Sequence, residues 1–206
     1  MKLKVCGMKY QDNITEVAKL RPDYLGFIFY EGSPRNFNGV IPNISNEIKK
    51  VGVFVDASHE KVIEKIKRYN LKAIQLHGKE SPEYCATLKN TFNALEIIKV
   101  FSIRDHFDFE LLKPYETVCD YYLFDTKGEL PGGNGYTFDW NILSNYPSSK
   151  PFFLSGGIGV DQIESIQTFL QNKISNLCNA IDVNSRFELE PGLKDPLKIK
   201  EFKSQL

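Results

Sequence analysis

The chain has 206 residues, 42% hydrophobic and 25% charged, a size and mix that suit one globular domain with a full core. Its 26 basic and 26 acidic side chains balance, so there is no electrostatic case for a nucleic-acid or anionic-membrane surface. The opening MKLKVCGMKYQDN has charges but no apolar segment behind them to act as a secretion signal, and no apolar run approaches the roughly 18 residues of a membrane span.

In chain order, short apolar, β-branched or aromatic runs alternate with helix-like segments. Strands are predicted at Leu3–Cys6 and Tyr24–Phe29, with a helix over Asn13–Leu20 between them. A strand at Val51–Val55 leads to a helix over Lys61–Tyr69, where Val62, Ile63, Ile66 and Tyr69 form one stripe. Ala73–His77 then precedes a helix over Pro82–Leu88, and strands follow at Glu96–Phe101, Asp120–Asp125 and Phe152–Ser155. The segment Asp161–Leu170 repeats the helical stripe with Ile163, Ile166, Phe169 and Leu170; a last strand, Ala180–Val183, precedes a helix over Pro196–Phe202. Three of these helices begin at or near an Asn, Ser, Pro or Asp start signal.

Eight strands joined by helices predict parallel βαβ units. The count favours a closed (β/α)8 barrel, a TIM barrel, over an open sheet, with residues 1–206 as a single domain. The glycine-rich segment Gly128–Gly135 follows a strand directly, where such barrels carry active-site loops rather than domain boundaries. Cys6, Cys85, Cys119 and Cys178 are scattered, with no C-x-x-C pair and no His partner at zinc spacing, so the expectation is free thiols in a reducing cytoplasm, and no metal.

Sites in this fold collect at the C-terminal strand ends. Seven of the eight ends carry a polar or reactive residue: Cys6, the Ser33-Pro34-Arg35 loop, Asp56, His77, Asp125, Ser155-Gly156-Gly157, and Asp182 through Ser185. Cys6 reads either as a small buried thiol or as a base. Lys4 shares its face by strand alternation, and an ammonium one layer below would favour thiolate. Asp125, following YYLF, reads as a desolvated acid whose pKa burial would raise, or as a loop cap or partner of Lys127. Gly156 and Gly157 let backbone N–H groups approach a phosphate, and Asn184-Ser185-Arg186 after the last strand would complete such a site. Arg35 is a solvated loop residue or a bidentate clamp for a carboxylate. His77 fits a structural role better than a catalytic one, and Asp182 bonds either sugar hydroxyls or a neighbouring side chain.

The segments KVCGM, GFIFYEGSPR, VGVFVD, IQLHG, LFDT, PGGNGYTFDW, PFFLSGGI and IDVNSRFELEPGLKD, in this order and across nearly the whole chain, resemble phosphoribosylanthranilate isomerase of tryptophan biosynthesis. The resemblance implies an Amadori rearrangement of N-(5-phosphoribosyl)anthranilate to the 1-deoxyribulose 5-phosphate. It implies Asp125 as general acid, Cys6 as general base, Arg35 on the anthranilate carboxylate, the backbones near Gly156, Gly157 and Ser185 on phosphate, and Asp182 beside the sugar hydroxyls. It implies neither cofactor nor metal, a small phosphoribosyl substrate, no nucleic acid or membrane partner, and a monomer or homodimer. One departure is Arg186, where the family usually has glycine: a backbone N–H still donates there unless the loop needs a left-handed residue, and the side chain would add a charge near phosphate.

Two alternatives are distinguishable. The sister isomerase of histidine biosynthesis resembles a duplicated half-barrel with two aspartates and two phosphate sites, whereas here the first strand ends in Cys6 and the first half has no counterpart of LSGGI. A non-catalytic phosphoribosyl-binding barrel would need the phosphate cradle and Arg35 but neither Cys6 nor Asp125.

Overall fold

In the computed structural model, which describes residues 1–126 and 137–206, each predicted strand pairs in parallel with its sequence neighbour and the eighth returns to the first. The barrel strands are β1 (Lys2–Val5), β2 (Tyr24–Ile28), β3 (Lys49–Phe54), β4 (Ala73–Leu76), β5 (Glu96–Ile103), β6 (Tyr121–Thr126), β7 (Phe152–Leu154) and β8 (Cys178–Val183). Closure puts Lys4 opposite Asp182 and Val5 opposite Val183. After β8 comes a small antiparallel hairpin, β9 (Glu188–Glu190) and β10 (Leu193–Lys194). The expected loop at Gly128–Gly135 lies outside the described residues.

The two-residue period of a strand sorts the core into two clusters. Tyr24, Val51, Ala73, Ile98, Leu123, Phe153 and Ala180 point inward and fill the barrel. Their chain neighbours Leu25, Ile74, Tyr122, Phe124, Phe152 and Ile181 point outward into a larger cluster shared with the helices. Both faces of every strand are therefore buried, as a parallel sheet requires.

Five α-helices lie among the described residues: α1 (Gln11–Lys19), α2 (His59–Tyr69), α3 (Pro82–Thr91), α4 (Ile163–Leu170) and α5 (Pro196–Lys203). Ser58, Ser81 and Asp195 cap α2, α3 and α5, their side chains accepting first-turn N–H groups. Asn13 does not start α1. That helix begins two residues earlier, and Asn13 instead exchanges two bonds with the backbone of Lys194, donating at 2.9 Å and accepting at 2.8 Å. Asp161 likewise precedes its helix: α4 begins at Ile163 after a 3₁₀ turn over Val160–Gln162.

Among the described residues, three connections carry no α-helix. Between β2 and β3 the ring of Phe37 stands in, meeting Phe27 at 5.0 Å and Tyr69 at 5.6 Å. After β5 and β6 the outer layer is built from 3₁₀ helices, Phe109–Tyr115 with Pro114 inside it and Trp140–Asn145. Proline removes a helical donor and clashes with the preceding turn, which explains the first of these. Five predicted strands end one residue early, so Cys6, Phe29, Val55, His77 and Ser155 open loops rather than close strands.

Phe153 is the pivot of the inner cluster, fully buried and edge-on to Tyr24 and Tyr121 at 5.2 and 5.3 Å. Phe153→Ala should cost ~3–5 kcal/mol in equilibrium urea unfolding, because closed strands on every side cannot collapse into the void. A loss under ~1 kcal/mol would mean that the barrel interior is not packed as described.

Candidate active site

Closing the strands brings their C-terminal ends around one cavity. Of the sequence-predicted residues, Cys6, His77, Asp125, Gly156, Gly157, Asp182, Ser185 and Arg186 all line it. Two do not. Asp56 holds the backbone of Lys79 at 2.6 Å, and Arg35 lies against Glu188.

Cys6 is the first residue past β1, its N–H donating to Val183 at 2.9 Å. Lys4 lies on the inward face below it, wholly buried, and binds Asp182 Oδ1 across the closing seam at 2.8 Å. Burial alone would lower the pKa of this lysine, but the Asp182 carboxylate leads the effects that outweigh it, and the ammonium stays protonated. The expected thiolate does not follow. Burial pushes the Cys6 thiol above its ordinary value, and although Lys4 and Lys194 pull it down, Asp182 pushes with the burial. The resting group is a thiol.

Space for the sulfur comes from Gly26 on β2. A Cβ there would stand 2.7 Å from Cys6 Sγ, so any side chain would displace the thiol.

Asp125 sits near the end of β6 on the same inward face as Leu123, buried as the alternation predicts. Oδ1 accepts from the N–H of Thr126 at 3.0 Å, and Oδ2 lies 3.3 Å from His77 Nε2. On its other side His77 Nδ1 is 3.3 Å from the side-chain amide of Gln75, also buried. His77 is thus part of the site through Asp125, a closer connection than sequence indicated.

Gly156 and Gly157 follow β7 with φ of +91° and +68°, the left-handed region. At Gly156 a side chain would also strike Thr126, so the loop runs against the strand end that carries Asp125. The N–H groups of Gly156, Gly157 and Ser185 make no backbone hydrogen bond among the described residues, leaving a concave set of donors. Arg186 needs no glycine conformation, since among the described residues the only non-glycine ones at positive φ are Arg21, Asp56 and Asn70. Its guanidinium lines the cavity and pairs with Asp161 at 2.6 Å. Among the described residues no group of three or more His, Cys, Asp or Glu is gathered to hold a metal ion.

Sequence reasoning passed over Gly26, Gln75, Glu188 and Lys194. A lone glycine inside a strand is a recognised sign of close approach and would have flagged Gly26. Glu188 and Lys194 gave no such sign, because their burial arises from contacts of the β9–β10 hairpin with residues far away in sequence, Arg35 and Asn13.

A family model described as N-(5'phosphoribosyl)anthranilate (PRA) isomerase matches residues 3–205. The chain is 46% identical to the N-(5'-phosphoribosyl)anthranilate isomerase of Parabacteroides distasonis, spanning 100% of this chain and 93% of that one. It is 40% identical to the isomerase of the same name from Phocaeicola vulgatus, over 100% and 98%. Among solved structures, phosphoribosyl anthranilate isomerase from Thermotoga maritima superposes with a TM-score of 0.81 at 28% identity, covering 100% of this chain and 98% of that one. A phosphoribosyl anthranilate isomerase in complex with reduced 1-(o-carboxyphenylamino)-1-deoxyribulose 5-phosphate gives 0.78 at 26%, covering 100% and 97%.

The raised thiol is directly measurable. Iodoacetamide reacts with thiolate only, so the alkylation rate at Cys6, followed by peptide mass, should climb with pH to a midpoint above the ordinary thiol value of 9.0. A midpoint below that value would show that Lys4 and Lys194 dominate over burial.

Proposed function

The chain belongs to the N-(5'-phosphoribosyl)anthranilate isomerase family, and we propose that Asp125 and Cys6 are the acid and the base of its reaction. The protein is an isomerase of tryptophan biosynthesis: it rearranges N-(5-phosphoribosyl)anthranilate to 1-(2-carboxyphenylamino)-1-deoxyribulose 5-phosphate. The observation that carries the residue assignment is that a buried carboxyl and a buried thiol face one cavity that also presents the donors of Gly156, Gly157 and Ser185.

In this reading phosphate binds the backbone donors of the two loops and fixes one end of the substrate. Asp125 protonates the ribose ring oxygen; the C1–O bond breaks and the nitrogen lone pair forms a Schiff base. Cys6 then removes the C2 proton, and the C–H electrons move to give an enolamine. Tautomerisation to the ketone returns one proton to carbon and releases one from oxygen, so no electron, water or net proton is consumed. The rearrangement therefore calls for neither a redox cofactor nor a metal. A thiol with a raised pKa is sparsely ionised, but the thiolate that forms is the stronger base toward a weakly acidic C–H. Asp182, held by Lys4, sits at the level of the sugar hydroxyls, and Arg186 adds a cation near the phosphate donors. Arg35 takes the anthranilate carboxylate.

The remaining parts of the reading concern context. The lining residues come from strand ends all round one barrel, which supports residues 1–206 as a single catalytic domain, acting as a monomer or a homodimer. A small phosphorylated substrate, a balanced charge and buried reduced cysteines support action in the cytoplasm without nucleic-acid or membrane partners. No helix among the described residues is long and apolar enough to cross a membrane.

The test is a fluorescence assay of substrate loss with Cys6→Ser and Asp125→Asn. Each substitution should lower kcat by roughly 10²–10⁴-fold with little change in KM, the pattern for a group that acts by proton transfer. Full activity in either variant would remove its assigned role, and an inactive wild type would remove the reaction.

A further inference from the structure

We propose that Glu188, fixed in place by Lys194, is a positioning residue that presents Arg35 to the substrate's carboxylate. The proposal rests on Arg35 as the carboxylate-holding residue and concerns how that arginine is aimed. Arg35 Nε lies 3.0 Å from both oxygens of Glu188, and Nη2 lies 2.7 Å from Oε2. These bonds engage one edge of the planar guanidinium. Nη1 donates to no acceptor among the described residues, so the opposite edge keeps two parallel N–H groups suited to a second carboxylate. The Cδ of Arg35 packs over Gly7, the residue after Cys6, so this side chain runs beside the loop that carries the thiol.

Glu188 is in turn immobilised. Its Oε1 accepts from Lys194 Nζ at 2.6 Å and from the N–H of Gly192 at 3.0 Å. Lys194 is wholly buried, and its ammonium also binds Asn184 Oδ1 at 2.7 Å, next to the phosphate-loop residue Ser185. The Lys194 backbone is tied to Asn13 at both its N–H and its carbonyl, so the hairpin cannot swing without breaking α1 contacts.

The charges favour positioning over plain stabilisation. A buried pair is a weak source of stability, because removing two charges from water costs about what their attraction returns. Here two cations share one anion, Arg35 and Lys194 on Glu188, leaving one positive charge uncompensated beside the cavity. That surplus is what an anionic substituent on the substrate would neutralise. The opposing reading makes Glu188 a competitor that the substrate must displace from Arg35, and it predicts effects of the opposite sign.

The probes are the reduced product analogue bearing the o-carboxyphenylamino group and the same compound with hydrogen in place of that carboxylate. Positioning predicts that Glu188→Gln raises KM, and Kd for the carboxylate probe, roughly tenfold. It also predicts that kcat stays within about threefold and the Kd of the probe lacking the carboxylate is unchanged. In an Arg35→Ala background, which has itself lost the preference for the carboxylate probe, Glu188→Gln should add nothing. Glu188→Asp keeps a charge beside Lys194 and so protects the fold while drawing the carboxylate away from Arg35; it should raise KM in the same way, with thermal unfolding checking its integrity.

Folded Glu188 variants that keep the wild-type carboxylate preference, or bind the carboxylate probe more tightly, would overturn the proposal alone. An Arg35→Ala enzyme that still prefers the carboxylate probe would overturn the role of Arg35 and the proposal with it.

Discussion

The ion pair between Lys4 and Asp182 is the contact on which the site depends. It joins β1 to β8 at the register that closes the barrel, with both groups removed from water. Such a pair offers little net stability, since desolvation of two charges offsets their attraction. Its consequence is local: it sets an ammonium and a carboxylate directly below Cys6 and holds the Asp182 carboxylate in the cavity wall. Ser155, at the start of the β7 loop, also reaches Asp182, donating at 3.4 Å. One buried pair thus ties together the strand end that carries Cys6, the Asp182 carboxylate and the start of the β7 loop.

The barrel itself was legible in the sequence because a parallel strand buried on both faces has few alternatives. Runs such as AIQL and YYLF carry apolar residues on both faces and are bounded by polar loop openers, so eight strands and the row of reactive ends emerge from pattern alone. What escaped were features decided by contacts far apart in the chain. Asn13 looks like a helix start, yet Lys194 claims both its polar atoms from 181 residues away. Asp161 looks like one too, and Arg186 claims it. Local propensity is a weak prior wherever a distant partner offers two strong bonds.

Cys6 shows a different limit. Sequence alternation placed Lys4 on its face correctly, and the inference from a nearby cation to a thiolate is sound physics taken singly. It fails in sum because the same closure that brings Lys4 near also removes Cys6 from water and sets Asp182 beside both. Which effect wins depends on depth and on the third charge, and neither can be read from a spacing of two. Asp125 was the easier case, since a carboxylate after YYLF at an inward position is buried by the strand pattern itself.

The distribution of charge bears on selectivity. Lys4 is matched by Asp182 and Arg186 by Asp161, whereas Lys194 and Arg35 share Glu188, so the surplus positive charge beside the cavity is confined to one place. Lys194 illustrates the cost of this pairing: burial pulls it down to about 8, and the attraction of Glu188 keeps it from falling further. On the proposed assignment recognition falls to geometry, namely the open guanidinium edge of Arg35 and a few backbone N–H groups of the two loops. On that assignment a ligand gains most by offering anionic groups at both places at once. A doubly anionic phosphoribosyl anilide meets that condition, whereas inorganic phosphate or a simple aromatic acid satisfies only one half of it.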